Sequence, residues 1–263
     1  MNNDDNKTTL KKYLCRKPGF DVCARQGEEL DKAFEDISEI LLNKCIVVAG
    51  DKKYRILEIE FYLFSPLHHD IITYPRDNMS GGEWFFHQSG VDLCFKSCCK
   101  TKRNSTYHVF DTNNKFGGIL IRSMMELDAE NRPVINGPMK CVDRLFKKFD
   151  AFFSEKRHSQ IAYIETDIPG WNDTIEKTIR HIPVNSKLQE IDKIPNDSIR
   201  SKVKTIFSEY YDQEPTEKCY NEFRDYLGRD VRYYIDNNDF WKYYHANPVK
   251  SKERRCHNTP GTV

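Results

Sequence analysis

Alternation with period two is strongest between Arg55 and Phe64. Successive side chains of a pleated strand leave by opposite faces, so Leu57, Ile59, Phe61 and Leu63 form one apolar face while Glu58, Glu60 and Tyr62 share the other. A carboxylate and a phenol two positions apart therefore stand on one side of a rigid element. Solvated acids are the ordinary outcome of such a face; the neighbouring segments argue for more. Upstream, Leu30, Ala33, Phe34, Ile37 and Leu41 recur at helical spacing and predict an amphipathic helix starting at Glu28. The apolar run Cys45 to Ala49 and the turn residues Gly50-Asp51-Lys52 predict a hairpin, with Ile46 to Val48 against the region of Tyr54 to Leu57.

After Phe64, Ser65-Pro66 breaks the strand and puts His68, His69 and Asp70 on a loop that can turn back over the face just left. Trp84 to His87 reads as an aromatic strand with Trp84 and Phe86 on one face. Gly90 is a break or bulge, followed by alternation of Val91, Leu93 and Phe95 with Asp92, Cys94 and Lys96. Thr106 to Asp111 reads as a strand, and Gly117 to Met124 as another with Leu120 and Arg122 on one face. A guanidinium in so apolar a strand must find a carboxylate, phosphate or water. Asn136-Gly137-Pro138 starts a helix whose buried stripe is Cys141, Val142, Leu145, Phe146 and Phe149. Beyond it the pattern predicts a strand at Ile161 to Glu165, a short helix at Asp173 to Arg180, a helix carrying Ile199, Val203 and Phe207, and a closing strand at Val231 to Ile235.

This order predicts an α+β protein. Residues 1–26 read as an irregular lead-in, 27–244 as a single domain with an insertion at about 186–219, and 245–263 as a disordered basic tail.

Composition narrows the function. Lys and Arg number 41 against 40 Asp and Glu, a formal charge of +1, so a global basic footprint for nucleic acid is missing. A local patch remains: Lys96, Lys100, Lys102 and Arg103 are candidate phosphate contacts. The 9 cysteines are scattered and odd in number, which suits reduced thiols. The crowded stretch Cys94 to Cys99, with His87 or His108 nearby in sequence, lacks a second knuckle, so no metal and no cofactor are expected. No phosphate-cradling glycine loop is present, and Trp171, Trp241, Tyr210, Tyr211 and Tyr243 read as core or docking residues. No apolar run is long enough for a signal peptide or membrane span, so an intracellular monomer without a membrane partner is expected.

Several segments, in order, resemble the alkyladenine (3-methyladenine) DNA glycosylase family. The family's E-x-E-A-Y strand is similar to Glu58-Ile59-Glu60-Phe61-Tyr62. Its aromatic strand running into Y-G and F-C-x-N is similar to Trp84 to Gly90 followed by Leu93-Cys94-Phe95-Lys96. V-L-L-R is similar to Ile119-Leu120-Ile121-Arg122, G-P-x-K to Gly137-Pro138-Met139-Lys140, and the closing P-L-R-F-Y to Val231-Arg232-Tyr233-Tyr234. The resemblance covers roughly Ser38 to Phe149 plus a patch near Val231.

It implies a curved, mostly antiparallel sheet or partly open barrel flanked by helices, and a monofunctional enzyme that flips a modified purine out of DNA and hydrolyses its N-glycosidic bond without metal. Glu60 would be the catalytic carboxylate, with Arg122 holding the same water. Tyr62 would stack on the base, with His68 and Phe86 completing the sandwich and His69, Trp84 and Lys96 nearby. His68 is favoured over His69 because Asp70 stands at His-x-Asp spacing. Lys100, Lys102 and Arg103 would meet the DNA backbone. The chain departs from the family at two places: Ser89 stands where a tyrosine wedge is expected, and Lys96 where an asparagine screens purines. Three readings stay open: the glycosylase, an inactive nucleic-acid-binding module of the same fold, and an N-glycoside hydrolase of a nucleotide or RNA.

Overall fold

The computed structural model describes residues 3–103, 105–146, 161–166, 168–180, 182, 184 and 192–237. Its trunk is β2 (Lys52–Ser65), 14 residues long and buried almost throughout. One edge of β2 pairs along nearly its whole length with β6 (Phe116–Glu126), from Tyr54↔Glu126 to Phe64↔Phe116. The other edge is shared by three short strands in turn: β1 (Ile46–Ala49) opposite its start, β10 (Asp230–Ile235) opposite Glu58 to Glu60, and β3 (His68–His69) opposite its end. Beyond β6 follow β5 (Gly90–Cys94) and β4 (Trp84–His87), with β7 (Val134–Asn136) on the far half of β6. β8 (Tyr163–Glu165) extends β1, and β9 (Ile175–Ile179) extends β10. The named strands pair antiparallel, and the sheet curls into a half-barrel flanked, among the described residues, by five helices, a single-domain α+β fold.

The helices form where local chemistry favours them. α2 (Glu28–Asn43) places Glu28, Glu29 and Asp31 in its first turn, where carboxylates suit the positive end of the helix dipole. Its apolar stripe packs on the odd-numbered face of β2, Phe34 stacking on Phe61 at 4.0 Å between ring centroids. α3 (Pro138–Leu145) opens with Pro at its first position, after Gly137 at φ 111°. Cys141 and Leu145 are buried and Val142 and Phe146 half-buried; Phe149 lies outside the described residues. A second core joins Phe64 and Phe116 at the end of the β2–β6 pair to α4 (Asn196–Tyr210) and α5 (Glu217–Tyr226) through Ile199, Val203, Phe207 and Phe223. The described part of the expected insertion thus builds a core of its own.

Three local expectations are corrected. Residues Asn3–Leu14 form a helix, α1, instead of an irregular lead-in; Lys11 and Lys12 stand in its last turn, and Leu10, Tyr13 and Leu14 dock into the first core. Ile175–Ile179 is a strand, where a helix was expected: β-branched Ile175, Thr178 and Ile179 pair with β10. Thr106 to Asp111 is a loop, held by isolated bridges from His108 to Thr101 and Tyr211. The predicted hairpin of β1 and β2 forms with Val47 opposite Tyr54. The tail 245–263, Trp241 and Tyr243 lie outside the described residues.

Candidate active site

Both carboxylates on the even face of β2 are buried, Glu58 to 2% and Glu60 to 1% exposure, so this face is not the ordinary solvated one. A buried carboxylate needs a charged partner and hydrogen bonds. β10 and β6 supply them. Arg232 sits directly opposite Glu60 in the ladder; its Nε donates to Glu58 Oε1 at 2.5 Å and lies 3.6 Å from Glu60 Oε1. Arg122 Nη1 is 3.1 Å from Glu60 Oε1, the carboxylate that its burial demanded. Ser123 Oγ donates to Glu58 Oε2 at 2.8 Å, and the Tyr62 hydroxyl donates to Glu60 Oε2 at 2.8 Å.

Consecutive residues of a strand should point to opposite faces, yet Arg122 and Ser123 both reach this group. The ladder explains it: Glu58 pairs with Ser123 and Ile59 with Ile121, so the register shifts and Arg122 is the extra residue of a bulge.

The electrostatics follow from burial and pairing. Burial works against the Arg122 charge, but the Glu60 and Glu58 carboxylates outweigh it and hold the guanidinium above its ordinary value. Burial, then the Glu60 charge, push the Tyr62 phenol well up, so it stays protonated and donates to Glu60. Glu60 Oε1 has its two ion-pair partners but accepts no hydrogen bond, although it is buried.

A cleft of about 290 Å³ opens on the same face, between the sheet and α4. Tyr62, Tyr74, His87, Asp92 and Tyr210 line it, with Ile206 on the apolar side and Ser89 at the rim. Asp92 accepts from Arg76 Nη2 at 2.9 Å and meets His87 Nε2 at 3.0 Å. Since the Ser89 N–H donates to His87 Nδ1 at 3.3 Å, Nε2 carries the proton that bonds Asp92. Burial raises the Asp92 carboxyl, but Arg76 and His87 outweigh it and hold the group below its ordinary value. Gly118 makes room for this group: a Cβ there would lie 2.9 Å from both Arg76 Nη1 and Asp92 Cβ.

Sequence reasoning brought Glu60, Tyr62 and Arg122 together correctly, and misplaced much of the rest. His68 is buried against Tyr226 and Arg229, its Nδ1 3.0 Å from Arg229, next to a separate pocket beneath α2. His69 bonds Glu222 at 2.6 Å and stacks on Phe64. Pairing of β3 back onto β2 fixes both histidines away from the cleft. Asp70, expected to orient His68, instead grips Arg180 with both oxygens at 2.8 and 3.0 Å. That guanidinium lies over the Tyr62 ring at 4.5 Å, so an arginine occupies the place expected for a histidine.

On β4 the site face is the opposite one from that expected. Phe85 and His87 point toward Asp92, whereas Trp84 packs against the first core and donates to Ala162 O at 2.7 Å, and Phe86 is exposed, edge-on to Phe146. Lys96 is exposed: β5 ends at Cys94, and the Lys96 backbone is tied to Leu14 and Arg16. Lys100 pairs with Asp111 at 3.2 Å and Lys102 with Asp212, while Arg103 is exposed. Tyr210, read as a docking residue, lines the cleft.

Asp92 and Arg76 went unrecognised. Their signal was an acid flanked by Val91 and Leu93 inside an apolar strand, the same signature that drew attention to Arg122.

A protein of Acanthamoeba polyphaga mimivirus described as "Uncharacterized protein L759" is 30% identical to this chain over 132 residues, which is 44% of this chain and 58% of that relative. No protein-family model matches the chain, and no solved structure matches it. Among the described residues, no helix is long and apolar enough to cross a membrane.

Proposed function

We propose that this chain is a monofunctional N-glycosylase that removes a damaged or modified purine from DNA. The observation that carries this reading is Glu60 Oε1: a buried carboxylate oxygen, ion-paired with Arg122, with an unused hydrogen-bond acceptor, on a side chain whose other oxygen is held by Tyr62 of the cleft lining. N-glycosidic cleavage develops positive charge on the sugar, which a nearby carboxylate stabilises while it polarises the attacking water. Arg122 and Arg232 hold the Glu60 side chain in place, and the Tyr62 hydroxyl fixes its second oxygen. Tyr62, Tyr74 and Tyr210 would take the flipped base, repaying part of its lost stacking.

The test is incubation of the purified protein with alkylated DNA and identification of released bases by mass spectrometry. The wild type should release a free purine, and Glu60→Gln should bind DNA without releasing one. DNA binding with no base released from any modified DNA would instead favour the inactive module.

One observation favours a substrate other than duplex DNA. Lys100 and Lys102 are neutralised by Asp111 and Asp212, which weakens the expected backbone patch. The second reading is therefore the same hydrolysis on a nucleotide or RNA, and including both in the assay separates the two.

A further inference from the structure

Outside the lining of the cleft, three ligand-type side chains meet. Asp77 comes from the loop before β4, Cys99 from the corner after β5, and His108 from the loop before β6. His108 Nδ1 is 3.5 Å from Cys99 Sγ and 3.6 Å from Asp77 Oδ1, and the three donor atoms all lie within 4.8 Å of one another. We propose that Asp77, Cys99 and His108 form a three-ligand site for a zinc-class divalent metal, leaving one coordination position for water.

Four observations support it. Tetrahedral zinc with ligands at its usual bond lengths separates neighbouring donors by roughly 3.3–3.8 Å, and two of the three separations fall in that range. Asp77 Oδ1 is buried and accepts no hydrogen bond, so the structure leaves it a coordination role. The donor set of imidazole, thiolate and carboxylate suits zinc better than magnesium or calcium. One carboxylate and one thiolate would together cancel the charge of a divalent ion, which a mostly buried place requires.

The role assigned is a staple. Asp77 lies on the β3–β4 connection and Cys99 and His108 on the β5–β6 connection; Ser97 N–H to Met79 O ties the two segments and Val109 N–H to Lys100 O folds the second, and a metal would add a side-chain tie between them. Arg76, next to Asp77, holds Asp92, and Tyr210 lines the cleft. A metal here would brace the cleft wall and takes no part in the proposed hydrolysis, so neither idea depends on the other. Spacing along the chain argued against a metal because only one cysteine cluster exists; the fold draws the third ligand from 22 positions upstream of Cys99 (99 less 77).

The experiment measures metal in the full chain purified without chelator from zinc-supplemented culture, then titrates chelator-stripped protein with cobalt(II). Stoichiometric zinc is expected, together with the near-ultraviolet thiolate-to-cobalt band and the intense visible bands of a tetrahedral site. Cys99→Ser should abolish the thiolate band, and Asp77→Asn or His108→Asn should weaken cobalt binding at least 10-fold. Exposed Cys98 is the control, and Cys98→Ser should leave the spectrum unchanged. Zinc at background with no cobalt band in the wild type overturns the proposal, as does a band that survives Cys99→Ser or disappears with Cys98→Ser. If Cys99→Ser fails to fold, the wild-type spectrum and the Asp77→Asn titration still decide.

Discussion

Glu60 and Asp92 stand in one cross-strand row, each directly opposite Leu120 from either side. Paired residues of an antiparallel ladder point to the same face, so the two carboxylates share a floor with one leucine between them. Arg232 extends the row beyond Glu60 and Phe85 beyond Asp92. Each carboxylate keeps its own guanidinium, Arg122 for Glu60 and Arg76 for Asp92. Asp92 lines the cleft, and Glu60, next in the row, is joined to it by Tyr62, which lines the cleft and donates to Glu60 Oε2.

Charge removal and shape removal at Glu60 should separate. Glu60→Ala leaves Arg122 and Arg232 short of an anion in a buried place and should cost about 3–5 kcal/mol in urea unfolding. Glu60→Gln keeps the Tyr62 bond and should cost less. Base release should fall by about 10²–10⁴-fold in both. Release unaffected by Glu60→Gln would remove this residue from the chemistry.

The Asp92 pairing should be visible in the acid limb of stability. Its folded pKa lies below the ordinary 3.8 because Arg76 and His87 outweigh burial. Below the ordinary value the unfolded chain binds the proton first, so the stabilisation present at neutral pH is lost as pH falls through 3.8 toward the lower folded value. Asp92→Asn should be less stable than wild type at pH 7 and show a shallower decline over that range, read by unfolding at stepped pH. An unchanged acid limb would count against the pairing.

What local pattern could reveal was the trunk. Period two gave the faces of β2, and the cost of an unpaired guanidinium required a carboxylate, phosphate or water for Arg122, a place that Glu60 fills. The partner of Glu58 was not legible, because Arg232 lies 174 positions away and no local spacing encodes that. The Arg122 bulge was invisible for a related reason: register belongs to the pair of strands. The strand does end at Ser65, but the histidines do not form a loop over the site, because the chain turns at once and pairs back onto β2 as β3. At Ile175 to Ile179 the strand exists because β10 is there to pair with it.

Two glycines side by side in β6 should differ in what they tolerate. A Cβ on Gly117 would sit 2.3 Å from the Tyr62 carbonyl oxygen, which belongs to the β2 ladder and has no freedom to move aside. A Cβ on Gly118 would meet Arg76 Nη1, a side-chain end, and Asp92 Cβ, fixed to the β5 backbone, both at 2.9 Å, and so needs a smaller shift of the neighbouring strand. Gly118→Ala should cost about 1–3 kcal/mol, the usual range for overpacking, and Gly117→Ala more. Denaturant unfolding of the two variants gives the order, and equal costs would mean the strands are free to separate near Tyr62.

His68 should make stability fall between near-neutral and acid pH. Arg229 can only donate, so Nδ1 accepts from it and Nε2 carries the proton toward the Tyr226 oxygen. Burial first, then the charges of Arg229, Arg180 and His69, hold the folded pKa down to about 3. The unfolded chain protonates this imidazole near its ordinary 6.5, so between 6.5 and about 3 the unfolded state binds more protons than the folded one. Stability is then fully present above 6.5 and declines below it, by up to about 1.4 kcal/mol per pH unit from this group. His68→Gln keeps an acceptor and a donor but cannot titrate. Its unfolding free energy should be lower at pH 7 and vary less between pH 6 and 4 than that of wild type. An identical slope in the two proteins would show that the imidazole takes up its proton without leaving the fold.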